Sequence, residues 1–487
     1  MEAESIYQDI ISTRYCAKSP LVKLLSERNR TEHWRQLWCW LARAELELGL
    51  APSIVTAAAV EAMEAAVADI HWPTVRQKES EMRHDVMAHI ATFELAAPPA
   101  KGVIHLGATS AFVQDNTDIL ILRDALNLLI PKLVDVLRKL GKWACEEAGK
   151  PTVGLTHWQS ATLTTVGKRA CLWLQELLIA TREIQAFRDS MRFRGIQGAT
   201  GSRASFLALA EGDEAKVANL NRRIHQLATT GKDKELGCFV ITGQTYTRLE
   251  DARLLNALAL YGAAVHRMAQ DIRLLQSRGE LMEPFGSTQV GSSAMPYKRN
   301  PMKCERLCGL ARLLIALPSN GLNTAAVQGC ERTLDDSSNR RKTLSEGLLT
   351  LEALVTTAQN VVGDLRILEE KRKANVDEEL PFLALEPILM ALTLKGCGRQ
   401  EAHENIRRVA LKAKADQEAG KKVNLEEMLK EEAFFEPVRP DIAKLASDPS
   451  AMIGCCRSQV EDFLDNELKP FLAKFKDVEA ETIQLTV

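Results

Sequence analysis

Residues 291 to 301 read Gly-Ser-Ser-Ala-Met-Pro-Tyr-Lys-Arg-Asn-Pro. Gly291 and the serines give a backbone able to present its amide N–H groups, and Pro296 and Pro301 stiffen it. Lys298 and Arg299 set positive charge beside the hydroxyls of Ser292 and Ser293. That combination handles an anion. Three further segments carry groups that can hold or move protons: Arg83-His84-Asp85, His105-Leu-Gly-Ala-Thr109-Ser110 and Thr156-His157-Trp-Gln159. An imidazole titrates near neutrality and can act as acid or base. Taken singly, though, a histidine is more often structural and an arginine more often a solvated charge.

These segments lie at the ends of long apolar stretches, and groups on loops held by a rigid scaffold are where catalysis tends to reside. Stretches 117–148, 162–194, 245–280, 302–317 and 341–372 are dense in Leu, Ile, Val and Ala. In the first, Ile119, Leu120, Leu122, Leu126, Leu129, Leu133, Leu137 and Leu140 cover more than one helical face, so several neighbours must cover the helix. A multi-helix bundle follows, with a kink expected at Pro131. Helices of about 30 residues span roughly 45 Å, more than one small domain needs, which favours association of chains through the bundle. The expected fold is all-α in three domains. Residues 1–111 form short helices, among them Trp34–Leu48 and an Ala-rich Ile54–Ile70, and residues 112–366 form the long bundle. Residues 367–487 form shorter, more charged helices broken by Pro381, Pro387, Gly396, Gly398 and Gly420.

The 487-residue chain is 46% hydrophobic but only 5% aromatic, a balance that favours helix over sheet. Its formal charge of −2 supplies no global field to attract nucleic acid or an anionic membrane. The acidic Met1–Asp9 run lacks the order of a signal peptide, and no apolar stretch reaches the ~20 residues that span a bilayer. A cytoplasmic protein is expected. The eleven scattered cysteines read as buried free thiols, and no P-loop or Gly-x-Gly-x-x-Gly pattern occurs.

The 291–301 run resembles the signature of the fumarase/aspartase superfamily, and its Ala-Met-Pro-Tyr-Lys-Arg-Asn-Pro form resembles the adenylosuccinate lyase branch. His105-Leu-Gly-Ala-Thr-Ser with Asp115-Asn-Thr-Asp118 is similar to that family's first signature, and Thr156–Gln159 to its second. Arg83–His89, Ile241–Arg248 and Glu331–Ser337, continuing to Arg341, match as well, so the resemblance covers nearly the whole chain.

The resemblance implies a substrate with a succinyl group on the nitrogen of a nucleotide or ribotide, cleaved at that C–N bond to release fumarate. An acid and a base are then needed on opposite sides of the bond. By resemblance His157 is the acid, Ser292 the base, and His84 assists beside Arg83 and Asp85. Lys298, Asn300, Thr109 and Ser110 match contacts to the succinyl carboxylates, and Gln244 and Arg306 other substrate contacts. Arg14, Tyr15, Arg332, Ser337 and Arg341 match phosphate and ribose contacts. No metal or organic cofactor is implied, and the partners implied are nucleotide substrates and three further copies, in a homotetramer whose active sites are shared between subunits.

Ser160 and Thr162 stand where the family commonly has Pro and Gln, and Gly329-Cys330 replaces a bulkier pair. No matched catalytic side chain is lost, so activity is expected. Two rival readings are an argininosuccinate lyase, which usually reads Gln-Lys-Lys-Asn-Pro in the signature loop, and a lyase scaffold kept for a structural role. The presence of both His157 and Ser292 weighs against the second.

Overall fold

The computed structural model describes residues 5–230 and 236–480, so the first four residues of the acidic N-terminal run lie outside the described residues. Long helices dominate, and the helices that the site requires are numbered here in chain order. Helix α1 (Glu27–Glu47) is followed by α2 (Trp72–Met82) and α3 (Asp85–Ala96), which precede α4 (Ser110–Glu146). A hairpin of β1 (Pro151–Thr156) and β2 (Gln159–Thr165) leads into α5 (Val166–Ser190). Helices α6 (Leu249–Ser277), α7 (Met302–Ala316) and α8 (Asp336–Gly363) complete the bundle.

Burial on several faces explains the arrangement. Helix α8 buries Leu344, Leu348, Leu351, Leu354, Val355, Ala358, Val361 and Val362, and α4, α6 and α7 all pack on it. Helix α6 in turn lies against α5 and α7. Leu348, Leu351 and Leu354 have no exposed surface, and each such side chain stabilises the fold by roughly 1.5–3 kcal/mol. Tertiary packing rather than helix propensity therefore holds these long helices. The 37 residues of α4 run as one helix through Pro131, spanning about 55 Å.

One expected helix begins late. Residues 162–165 belong to β2, and α5 starts only at Val166, where Thr165 caps it by accepting from the Lys168 N–H at 3.1 Å. Thr162, Thr164 and Thr165 are β-branched and favour a pleated strand. The hairpin pairs Thr156 with Gln159, so its turn is only His157-Trp158, with φ of 52° and 62°. Two successive left-handed residues match the twist of the strands but suit Asn and Gly far better than His and Trp.

After α8, helix α9 (Glu369–Leu383) accommodates Pro381 internally. Its Val376, Leu380 and Leu383 enclose Val153 and Leu163 of the hairpin in a small cluster. A separate core follows around Ile388, Leu392, Val409, Phe435 and Ile442, whereas Val460, Leu464, Leu468 and Phe471 return to the main core. All eleven cysteines are free thiols, six of them buried, while Cys145, Cys330 and Cys455 are exposed. Among the described residues no helix is long and apolar enough to cross a membrane.

Candidate active site

A cavity of about 290 Å³ opens between α3, α4 and the start of α8. Asp85, Arg332, Ser337 and Arg341 line it together with Arg30 and Thr31. Arg341 donates to Asp85 Oδ2 at 2.5 Å, and Arg332 donates to Asp336 Oδ1 at 2.7 Å. Burial would raise the Asp85 carboxyl, but the hydrogen bonds from Arg341 and the Val86 N–H, with the Arg341 charge, hold it below its ordinary value.

The preceding residues set that edge. Arg83 closes α2 in a left-handed conformation, φ 52°, so the chain turns sharply into α3. His84 caps α3, its Nδ1 accepting from the Met87 N–H at 3.4 Å and lying 3.6 Å from the Asp85 carboxylate. The 241–248 loop is joined to the other edge: the Gln244 N–H donates to Glu331 O at 2.9 Å, and a Cβ on Gly243 would meet that oxygen at 2.7 Å. Gln244 Nε2 donates to Ala199 O at 3.0 Å.

Thr109 and Ser110 open α4, and Thr109 makes no side-chain cap bond. The free amides and positive dipole end of this helix suit a carboxylate. Just before them His105, at φ 73°, accepts from the Trp38 indole N–H at 2.8 Å through Nδ1. Burial, with the nearby His84, pushes its pKa down to about 4. Burial and the Arg35 charge likewise push His89 down to about 4.

These two depressed histidines give a pH prediction. An unfolded histidine takes up its proton near pH 6.5, so between about 6.5 and 4 the unfolded chain binds more protons and stability rises with pH. The contribution is fully present above the upper limit and is lost as pH falls through the window. Thermal midpoints measured from pH 7 to 5 should fall, and more shallowly in His105→Gln. Equal slopes would contradict the assignment.

The signature loop folds back on itself. A Cβ on Gly291 would lie 2.1 Å from Lys298 O, and Asn300 Nδ2 donates to Gly291 O at 2.8 Å. Ser292 Oγ accepts from the N–H groups of Ala294 and Met295 at 3.4 and 3.1 Å. Lys298 is exposed, and Gln276 of α6 anchors the loop by donating to Arg299 O at 2.9 Å. On α7 the Arg306 guanidinium lies 5.2 Å from the ring centre of Tyr15, which follows the exposed Arg14 in a short π-helix. His157 is exposed at the hairpin turn. Beside it Ser160 donates to Glu379 of α9 at 2.7 Å.

Within one chain, then, four of the expected residues share the cavity, His84 and Arg83 adjoin it through Asp85, and Gln244 is tied to its rim. His157, Ser292, Lys298, Asn300, Arg14, Tyr15, Thr109, Ser110 and Arg306 do not line it.

The fold is shared by solved structures of a 3-carboxy-cis,cis-muconate lactonizing enzyme from Pseudomonas putida and a fumarate lyase from Mesorhizobium sp. BNC1. The first superposes with a TM-score of 0.81 over 94% of this chain and 98% of that one, at 24% identity. The second gives 0.80 over 95% and 100%, at 21% identity. A family model described as lyase matches residues 8–315, which makes the protein a lyase of the fumarase/aspartase fold. A second model, described as adenylosuccinate lyase C-terminus, matches residues 381–463. The chain is 47% identical over 100% of both chains to a Caenorhabditis briggsae protein named adenylosuccinate lyase, and 44% identical to one from Schizosaccharomyces pombe, again over 100% of both. It belongs to the adenylosuccinate lyase family.

The sequence reading gave no role to the charged network beneath the cavity. Asp115, Asp118, Arg248, Asp336 and Arg340 all line it and are buried or nearly so. Arg340 pairs with Asp251 at 2.5 Å and Asp118 at 3.1 Å, and Arg30 also pairs with Asp118. One signal was available: Asp115 and Asp118 lie about one turn apart just before the Leu- and Ile-rich part of α4, where a buried carboxylate requires a cationic partner.

Proposed function

We propose that this lyase cleaves adenylosuccinate to AMP and fumarate, and succinylaminoimidazole-carboxamide ribotide to the corresponding amide ribotide and fumarate. The observation that carries this reading is the 47% identity, along the full length of both chains, to a protein named adenylosuccinate lyase. The cavity supports it, because Arg332, Ser337 and Arg341 converge as a nucleotide phosphate requires.

In this reading Arg14, Tyr15, Arg332, Ser337 and Arg341 hold phosphate and ribose, and Gln244 and Arg306 contact the remainder of the substrate. Thr109 and Ser110, with Lys298 and Asn300, hold the succinyl carboxylates. His157 protonates the departing nitrogen while Ser292 removes the proton from the carbon beside a carboxylate. The two amides donating to Ser292 Oγ favour its ionised form, which a hydroxyl needs to act as a base. Charge then builds on the carboxylate, where Lys298 and the α4 N-terminus oppose it. His84, flanked by Arg83 and Asp85, assists His157.

A homotetramer supplies the missing proximity. His157 and Ser292 lie outside the cavity of their own chain, and Leu172, Ile179, Leu260, Leu313 and Ile315 expose apolar surface on α5, α6 and α7. Packing those faces together would bring hairpin and loop to a neighbour's cavity. The division at residues 111/112 and 366/367 and a cytoplasmic location complete the proposal.

Fumarate release is to be measured with adenylosuccinate, succinylaminoimidazole-carboxamide ribotide and argininosuccinate offered separately. Release from the first two alone is expected. Release only from argininosuccinate would move the chain to a neighbouring activity, and none from any would favour a structural role.

A further inference from the structure

The two arginines at the mouth of the cavity are held in different ways. Arg341 is 59% exposed in its side chain and meets Asp85 at the surface. Arg332 is 19% exposed and meets Asp336, whose side chain is 1% exposed. Asp336 uses both oxygens: Oδ1 accepts from Arg332 at 2.7 Å and Oδ2 accepts from Arg248 Nε at 2.7 Å.

Arg248 is itself fixed. Its two terminal nitrogens donate to Asp115 at 3.0 and 3.3 Å, a fork-to-fork pairing, and the Tyr246 N–H donates to the same carboxylate at 2.9 Å. The Tyr246 ring lies 4.6 Å beneath the guanidinium of Arg248. A line of charge thus runs from Asp115 on α4 through Arg248, at the start of α6, to Asp336 on α8, and ends at Arg332 in the cavity. With Asp118, Asp251, Arg30 and Arg340 beside it, the cluster holds four carboxylates against four guanidiniums.

Arg332 needs such support. A long arginine side chain gives up much rotamer freedom when fixed, and Arg332 lies on the connecting segment before α8 rather than within the helix. Asp336 anchors one edge of its guanidinium and leaves the remaining N–H groups for a ligand. Because Arg248 holds Asp336 from behind, an arriving dianion cannot displace the carboxylate without breaking its buried hydrogen bond to Arg248.

We propose that Asp336 is a positioning residue for the substrate's phosphate, fixing Arg332 in the cavity through the buried Asp115–Arg248–Asp336 line. The inference rests on the nucleotide reading of this site and assigns Asp336 no contact with the reacting bond. Weakening the hold on Arg332 therefore raises KM far more than it lowers kcat.

The test is a double-mutant cycle with Asp336→Asn, Arg332→Ala and the combined variant. Fumarate release from adenylosuccinate gives kcat and KM, and the rise in thermal midpoint caused by inorganic phosphate gives an activity-independent readout. Asp336→Asn is expected to raise KM about tenfold or more with kcat within about threefold, to reduce the phosphate-induced rise, and to add almost nothing in the Arg332→Ala background. A structural defect alone would multiply in both backgrounds, which overturns the proposal, as does an unchanged KM. If Asp336→Asn fails to fold, Asp336→Glu keeps the charge and shifts the carboxylate by one methylene. A folded Asp336→Glu with wild-type KM, or one that also fails to fold, counts against the role. A wild-type chain that phosphate stabilises but that releases no fumarate refutes the reaction and leaves the phosphate cycle decisive. One that phosphate does not stabilise overturns the inference whatever its activity.

Discussion

His157→Ala is expected to lower kcat by about 10²- to 10⁴-fold, the range a positioned general acid supplies, while the thermal midpoint stays close to that of the unchanged protein. His157 is exposed at a two-residue turn, so its imidazole contributes little to the core. The left-handed backbone at φ 52° introduces one complication, since Ala tolerates that region poorly. His157→Asn settles it: Asn accepts the conformation and keeps the hairpin, yet offers no titratable group. Comparable losses in both variants assign the effect to the proton, whereas recovery in Asn assigns it to the backbone. Near-normal turnover in either variant removes His157 from the acid role.

Ser292→Ala is expected to cost a similar 10²- to 10⁴-fold in kcat, and to differ from the His157 variants in which bond becomes slow. With deuterium on the carbon that loses its proton, the isotope effect on kcat should grow in Ser292→Ala and not in His157→Ala. The substitution also frees two backbone amides that now donate to Oγ. They lie in an exposed loop where water replaces the lost acceptor, so the thermal midpoint should hardly move. A Ser292→Ala enzyme within tenfold of wild type would remove the serine from the chemistry and leave it a loop cap. Because the hairpin and the signature loop both lie outside the cavity of their own chain, mixing the His157 and Ser292 variants under subunit exchange should restore part of the activity. No recovery despite exchange would oppose shared sites.

The legibility of the fold followed from its periodicity. Leucines on several faces of residues 117–148 and 341–372 required several neighbours, and α4 and α8 have them. The α5 stretch begins at Val166 rather than at residue 162, because the β-branched Thr162, Thr164 and Thr165 favour a strand and residues 163–165 pair with Pro151–Val153 in the hairpin. Pro131, where a kink is expected, lies within α4, which continues through it to Glu146.

The sequence by itself determined the reaction class, because the signature loop, the Thr-His-Trp-Gln segment and the run from Glu331 to Arg341 are local stretches that resemble the family's motifs. It also determined the long-helix scaffold, because burial on several faces is written in residue spacing. Only the tertiary structure decided which residues meet. It placed Asp85 against Arg341 across 256 positions, separated His157 and Ser292 from their own cavity, and joined Asp115, Arg248 and Asp336 beneath Arg332. The physical reason is that a buried charge must be matched by a partner in space, and no spacing along the chain records which distant helix supplies it.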